Sequence, residues 1–140
     1  MKKLKRKIVF KYVPFSRRIF AYIIDSIVIS FVVIYPLVNL NPPESFTVEA
    51  MLIGFLVAVL TLVYWSVLEF MIHQTIGKMF LGLYVRSTSG KLKLSQTIIR
   101  NLTKISTLTL ALDCLPLLKK KHQRYFERLS ATEVVEPKIE

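Results

Sequence analysis

Two uncharged stretches constrain this chain more than any other feature. No Asp, Glu, Lys or Arg occurs from Ser26 to Pro43, and none from Ala50 to Leu68. A helix that crosses a hydrocarbon core of ~30 Å at ~1.5 Å per residue needs about 20 apolar residues. With their apolar flanks the two stretches reach that length. The sequence therefore predicts an all-α membrane protein with one transmembrane helix over about 19–40 and a second over about 50–71. Pro36 is placed to kink the far end of the first. The apolar stretch from Ile19 to Leu40 is too long for the core of a signal peptide, and no small-x-small cleavage site follows it, so it reads as a retained span.

The formal net charge is +11, which fits either nucleic acid or anionic lipid. The distribution favours lipid. Residues 1–18 carry Lys2, Lys3, Lys5, Arg6, Lys7, Lys11, Arg17 and Arg18 and no acid. The stretch Asn41–Glu49 holds Pro42, Pro43, Glu44 and Glu49 and no base. Basic residues return at Lys78, Arg86, Lys91 and Lys93. Cytoplasmic flanks of spans are rich in Lys and Arg. Both termini are thus expected in the cytoplasm, with residues 1–18 as a basic tail against anionic head groups and 41–49 as an outer turn. No basic-and-aromatic recognition motif for nucleic acid is visible. Cys114 is the single cysteine, which excludes a disulfide framework.

Between the second span and the third apolar stretch, residues 73–94 form a cytoplasmic segment. Leu83–Arg86 and Lys91–Leu94 flank Ser87-Thr88-Ser89-Gly90, a pattern that predicts a small β-hairpin. Ser95 is placed to cap a following helix. The third apolar segment, about 96–118, has an apolar core of only 14 residues, Ile105–Leu118, with Asp113 inside and Pro116 near its end. Lys119, Lys120, Lys121, Arg124 and Arg128 follow it. A full crossing would put these bases outside. A re-entrant or interfacial segment is the preferred reading, and a third span the alternative. The end of the chain, with Glu133, Glu136 and Glu140, reads as polar and partly disordered; residues 136–140 form the polar tail.

Asp25 is the most informative single residue. A carboxylate at the centre of a membrane helix costs about 2.5–3.5 kcal/mol on insertion scales, so it is expected to face protein or water. Arg18, Ala21, Tyr22 and Asp25 recur at helical spacings on one face. Arg18, Ser66, Thr61 or the third segment are its expected partners. A proton or monovalent-cation site is one reading of Asp25, and an inter-helix hydrogen bond that fixes the fold is the other. Glu69 and Asp113 are the further candidates, placed to converge with Asp25 at the inner half of the membrane. His73 and His122 have no ligand-spaced partners, so no metal site is expected. Gly77-Lys78 lacks the rest of a phosphate loop. No catalytic triad or dyad is visible, and no enzyme or cofactor is expected.

These residues resemble a known family. Arg18-Ile19-Phe20-Ala21 followed by Ile24-Asp25 is similar to the RxxA…ID opening of the RDD membrane proteins. Gln74-Thr75-Ile76-Gly77-Lys78-Met79-Phe80-Leu81-Gly82-Leu83 resembles their QTxGKxxxGL segment, and Gly90 and Arg100-Asn101 resemble a turn and an RN pair. The likeness covers about Phe15 to Val135. It makes Arg18, Asp25, Gly77, Lys78, Gly82 and Glu127 the signature positions. One departure stands out: the family's second aspartate is Glu127 here, which keeps the charge on a longer arm. The resemblance implies at most a monovalent cation/proton antiport role through Asp25, with help from Asp113 or Glu69. Two spans and a short third segment cannot enclose a pathway, so transport requires a homo-oligomer or a membrane partner. The competing reading is a non-transporting scaffold or accessory subunit.

Overall fold

The computed structural model describes residues 8–40, 42, 48–119 and 121–139. The basic residues Lys2, Lys3, Lys5, Arg6, Lys7 and Lys120, most of the expected outer turn and the final Glu140 lie outside them.

Two long apolar helices dominate. The first starts as α1 (Phe15–Ile29), passes through a π-helical turn (Ser30–Ile34) and continues as α2 (Tyr35–Leu40). The wide turn sits where the sequence requires one. Pro36 has no N–H to donate to the carbonyl one turn back, and its ring crowds that carbonyl. Widening the turn before the proline relieves the crowding: Tyr35 N–H reaches back to Ser30 O. The second helix, α3 (Val48–Ile72), is uninterrupted. Phe15–Leu40 and Val48–Ile72 are both long and apolar enough to cross a membrane, and only 17% and 11% of their most apolar windows are buried. Phe31, Val32, Leu52 and Phe55 point outward at 62–71% exposure. Core helices of a water-soluble domain bury such side chains; these expose them all round, as a lipid-facing helix does.

Polar structure is concentrated at one end of this pair. There α4 (Ile76–Phe80) packs on α1, α5 (Leu94–Asn101) and a 3₁₀ turn (Leu102–Ile105) pack on the end of α3, and α6 (Thr107–Leu118) and α7 (Tyr125–Leu129) pack beside them. A three-stranded antiparallel sheet closes it, with strands β1 (Ile8–Tyr12), β2 (Tyr84–Ser87) and β3 (Thr132–Ile139) in the order β1-β3-β2. Tyr12 pairs with Val135, and so does Tyr84 from the other side. Val13, Ala21, Leu83 and Val134 form a small apolar core beneath the sheet.

The sheet corrects three expectations. Tyr84–Ser87 is a strand, but its partner is β3, and Lys91–Lys93 lead into α5 instead of folding back as a hairpin. The residues from Thr132 onward form the central strand, so the polar-tail reading of this end does not hold: Val134 and Val135 are each 2% exposed. Ile8–Tyr12 belong to an edge strand and not to a simple tail. These pairings are invisible to local pattern because β3 joins segments from both ends of the chain. Helix α5 starts one residue before Ser95; Gln96 Oε1 accepts from Lys93 N at 2.9 Å and caps it in place of the serine. The third apolar segment is also not one helix. It breaks at Ser106, whose extended backbone (φ −123°, ψ 133°) separates the 3₁₀ turn from α6. Twelve residues remain in α6, about 18 Å at ~1.5 Å per residue, shorter than a hydrocarbon core.

Candidate functional site

Asp25 is 2% exposed on the inner face of α1. Three neutral donors hold its carboxylate. Thr75 Oγ1 donates to Oδ2 at 2.5 Å, and Gly77 N and Tyr64 OH donate to Oδ1 at 2.8 and 3.1 Å. The sequence explains the convergence. Thr75 is the N-cap of α4, so its hydroxyl also accepts from Lys78 N at 3.4 Å. Gly77 lets α4 press on α1: a Cβ there would lie 2.0 Å from the Ala21 carbonyl oxygen. Gly82 serves a different need, a left-handed turn at φ +64° after α4. Of the partners expected for Asp25, neither Arg18, Ser66 nor Thr61 is used. Arg18 points away along the helix, and Ser66 is buried with its hydroxyl unpartnered among the described residues.

A second centre forms around Glu69, which is fully buried on the last turns of α3. Lys78 Nζ donates to Oε1 in a short contact, and Asn101 Nδ2 donates to Oε2 at 2.8 Å. Arg100 Nε lies 3.2 Å from Oε2 and Lys104 Nζ 3.7 Å from Oε1. The adjacent Arg100 and Asn101 thus reach the same carboxylate.

A third centre forms around Glu127. Arg18 Nη1 donates to Oε2 and Arg100 Nη2 to Oε1, each at 2.9 Å. Arg124 Nε stands 3.3 Å from Oε1, and the Arg124 backbone N donates to Oε2 at 3.1 Å. Burial alone would raise the Glu127 pKa, but the guanidiniums of Arg124, Arg18 and Arg100 together hold it well below the usual carboxylate range. Asp113, the last of the four acids, accepts from Thr103 Oγ1 at 2.9 Å and from the Phe126 backbone N at 2.8 Å, with Arg124 Nη1 at 3.3 Å.

Arg100 and Arg124 therefore link Glu69, Glu127 and Asp113 into one chain of charges. Asp25 adjoins it without joining it. Burial pushes the Lys78 ammonium down, and it pushes that of Lys104 down much further. Lys104 has the weaker support: beyond Glu69 it rests over the Trp65 ring at 4.5 Å. Between α1, α5, α6 and α7 lies a cavity of about 240 Å³. Arg18, Lys78, Arg100, Lys104 and Arg124 line it together with Asp25 and Glu127, and its other walls are mainly apolar.

Of the signature positions of the sequence reading, Arg18 pairs with Glu127, Lys78 with Glu69 and Gly77 with Asp25, while Gly82 turns the chain after α4. A profile for the RDD family matches residues 12–130. The chain belongs to the RDD family. No curated protein and no solved structure matches it. Membership in the RDD family and the two apolar helices agree on a membrane protein. Within the matched range, Glu127 reaches three arginines, Arg18, Arg100 and Arg124.

The three candidate acids do not meet at one point. Asp25, Glu69 and Asp113 occupy separate centres. Tyr64, Thr75, Thr103, Lys104 and Arg124 were not read from the sequence as site residues. Thr75 carried a signal, since it precedes Gly77-Lys78 in the specific motif. Lys104 carried another, one helical turn after Arg100. Among the described residues no group of His, Cys, Asp and Glu is placed to hold a metal ion; His122 stacks on Tyr12 with ring centroids 4.1 Å apart.

Proposed function

We propose that this RDD-family chain is a multi-pass subunit of the cell membrane, with both termini in the cytoplasm, that acts as a non-catalytic scaffold or accessory component. In this reading α6 dips into the cytoplasmic leaflet and returns, which keeps the bases after Leu118 on the same side as those before α1. The observation that carries the proposal is the neutralisation of the buried acids. Glu69, Asp113 and Glu127 each face one or more buried bases, and five bases wall the cavity beside Asp25. A small cation entering there meets like charge in a low dielectric, the least favourable surrounding for it. A buried network in which these acids are paired instead fixes how the two long helices, α4 and α7 sit against one another.

A second reading, monovalent cation/proton antiport, draws on Asp25. Alone among the four acids it has no basic partner among the described residues, and it faces the cavity. Hydroxyl-held carboxylates can exchange a proton for a cation. One chain supplies too few helices for a path, so this reading requires a homo-oligomer or another membrane protein. Proton flux in liposomes holding the purified chain, driven by Na⁺ or K⁺ gradients, separates the two. The scaffold reading expects no ion-dependent flux. Flux that disappears in Asp25→Asn, with the variant folded normally, overturns it in favour of antiport.

A further inference from the structure

The cavity between α1 and α6 has one end built for charge and the other for hydrocarbon. Its floor holds Arg100, which is completely buried. Arg100 spends Nη2 on Glu127 and sets Nε 3.2 Å from Glu69 Oε2, while Nη1 has no hydrogen-bond partner among the described residues. The Arg18 Nε is likewise buried without a partner. A guanidinium carries five N–H donors, and a buried donor left unpaired is unfavourable. The charge count points the same way. The five bases on the wall face three acids bonded into their network, Glu69, Asp113 and Glu127, with Asp25 beside it on neutral donors, which leaves at least one base uncompensated. Lys104 is that base, since its only acidic neighbour, Glu69, lies 3.7 Å away and is shared with Lys78 and Arg100. The site thus lacks one negative charge with hydrogen-bond acceptors.

The remaining walls are Phe15 and Ile19 from α1 and Leu110, Ala111 and Leu117 from α6. Ile19 and Ala111 are exposed as well as lining the cavity, so the apolar walls are not sealed off by the rest of the chain. A volume of about 240 Å³ equals some eight waters at ~30 Å³ each. That holds an acidic head group and the first carbons of a chain, not a whole lipid. A free inorganic anion would satisfy the floor and leave the apolar walls without a partner.

We propose that this cavity binds the anionic head of an acyl-chain amphiphile, phosphate or carboxylate, with Arg100, Arg18 and Lys104 on the head and the chain leaving between α1 and α6. Bound there, the head supplies the missing acceptors to Arg100 and the missing counter-charge to Lys104. The proposal is independent of whether the chain transports ions.

Trp65 reports on the site, because it is the single tryptophan and Lys104 lies against its ring. The test uses the full chain in dodecyl maltoside micelles, with dodecyl phosphate as probe and Trp65 emission and thermal melting as readouts. Dodecyl phosphate is expected to change the emission saturably and raise the melting temperature. Inorganic phosphate and dodecyltrimethylammonium at equal concentration are expected to do neither. Ala111→Phe keeps every charge and fills the apolar wall; Lys104→Gln removes the uncompensated charge. Each is expected to weaken the probe by about tenfold or more, the scale of one lost charged or well-packed contact. Equal action of dodecyl phosphate and dodecanol overturns the proposal, as does unaltered binding in both variants. Saturation by inorganic phosphate at the same concentration overturns it in favour of a free-anion site.

Discussion

Arg18 and Glu127 are 109 positions apart and joined by a 2.9 Å charged hydrogen bond, with their side chains 9% and 1% exposed. That contact ties the start of the first long helix to the last short one. Arg18 also donates to the backbone oxygen of His122 at 2.9 Å, so it anchors the loop between α6 and α7 as well.

The reach of Glu127 is a testable property. Its two oxygens serve Arg18 on one side and Arg100 on the other, and a side chain one methylene shorter cannot hold both at 2.9 Å. Glu127→Asp is expected to lower the melting temperature in detergent. Glu127→Gln is expected to lower it further, since breaking a buried pair typically costs about 3–5 kcal/mol. Melting of the Asp variant at the wild-type temperature would show that the longer arm is not required.

The same carboxylate sets an acid limit. Its folded pKa lies below its unfolded value, so its stabilisation is complete above the ordinary glutamate pKa of about 4.3 and is lost as pH falls toward the folded value. Melting temperatures between pH 3 and 6 are expected to fall on the acid side more steeply in wild type than in Glu127→Gln. Parallel profiles would contradict this.

Lys104 predicts a gain on removal. Burial puts its folded pKa well below the unfolded value of about 10.4. The unfolded chain then binds the extra proton, and stability from this group rises with pH across the window between the two values. Lys104→Met is expected to melt higher than wild type at pH 7 and to show a shallower rise toward pH 10. Glu69 keeps Lys78, Arg100 and Asn101 in the variant. A lower melting temperature at pH 7 would mean that the charge of Lys104 is needed for folding.

The glycines separate by mechanism. Gly77→Ala drives a methyl into the Ala21 carbonyl and is expected to reduce folded protein in the membrane, at an overpacking cost of about 1–3 kcal/mol. Gly82→Ala meets open space but must hold φ +64°, at about 1–2 kcal/mol. Gly54→Ala meets nothing and has an ordinary backbone, so it serves as the control. Equal yields and melting temperatures for all three would remove the close approach of α1 and α4 as a requirement.

Topology is tested by cysteine labelling of intact cells after replacement of Cys114. Position 44 is expected to react from outside, and positions 5 and 125 only after permeabilisation. Labelling of position 125 from outside would make α6 part of a full third crossing.

The sequence by itself determined the two long helices, because a hydrocarbon core sets a minimum apolar length that can be read residue by residue. It also marked Gly77 and Gly82 within Gln74–Leu83, where a close approach and a left-handed turn each demand glycine. It singled out Asp25, Glu69 and Asp113, since burying a carboxylate requires a reason, and the family resemblance added Glu127. Only the tertiary structure decided their partners. Asp25 took Thr75, Gly77 and Tyr64 in place of Arg18, because α4 folds back on α1 and delivers its first turn to the carboxylate. Arg18 took Glu127, because β3 carries the chain's end alongside β1, next to the start of α1. Neither choice has a local signal: the first depends on a helix contact across some fifty residues and the second on a strand pairing across more than a hundred, and hydropathy and spacing describe only near neighbours.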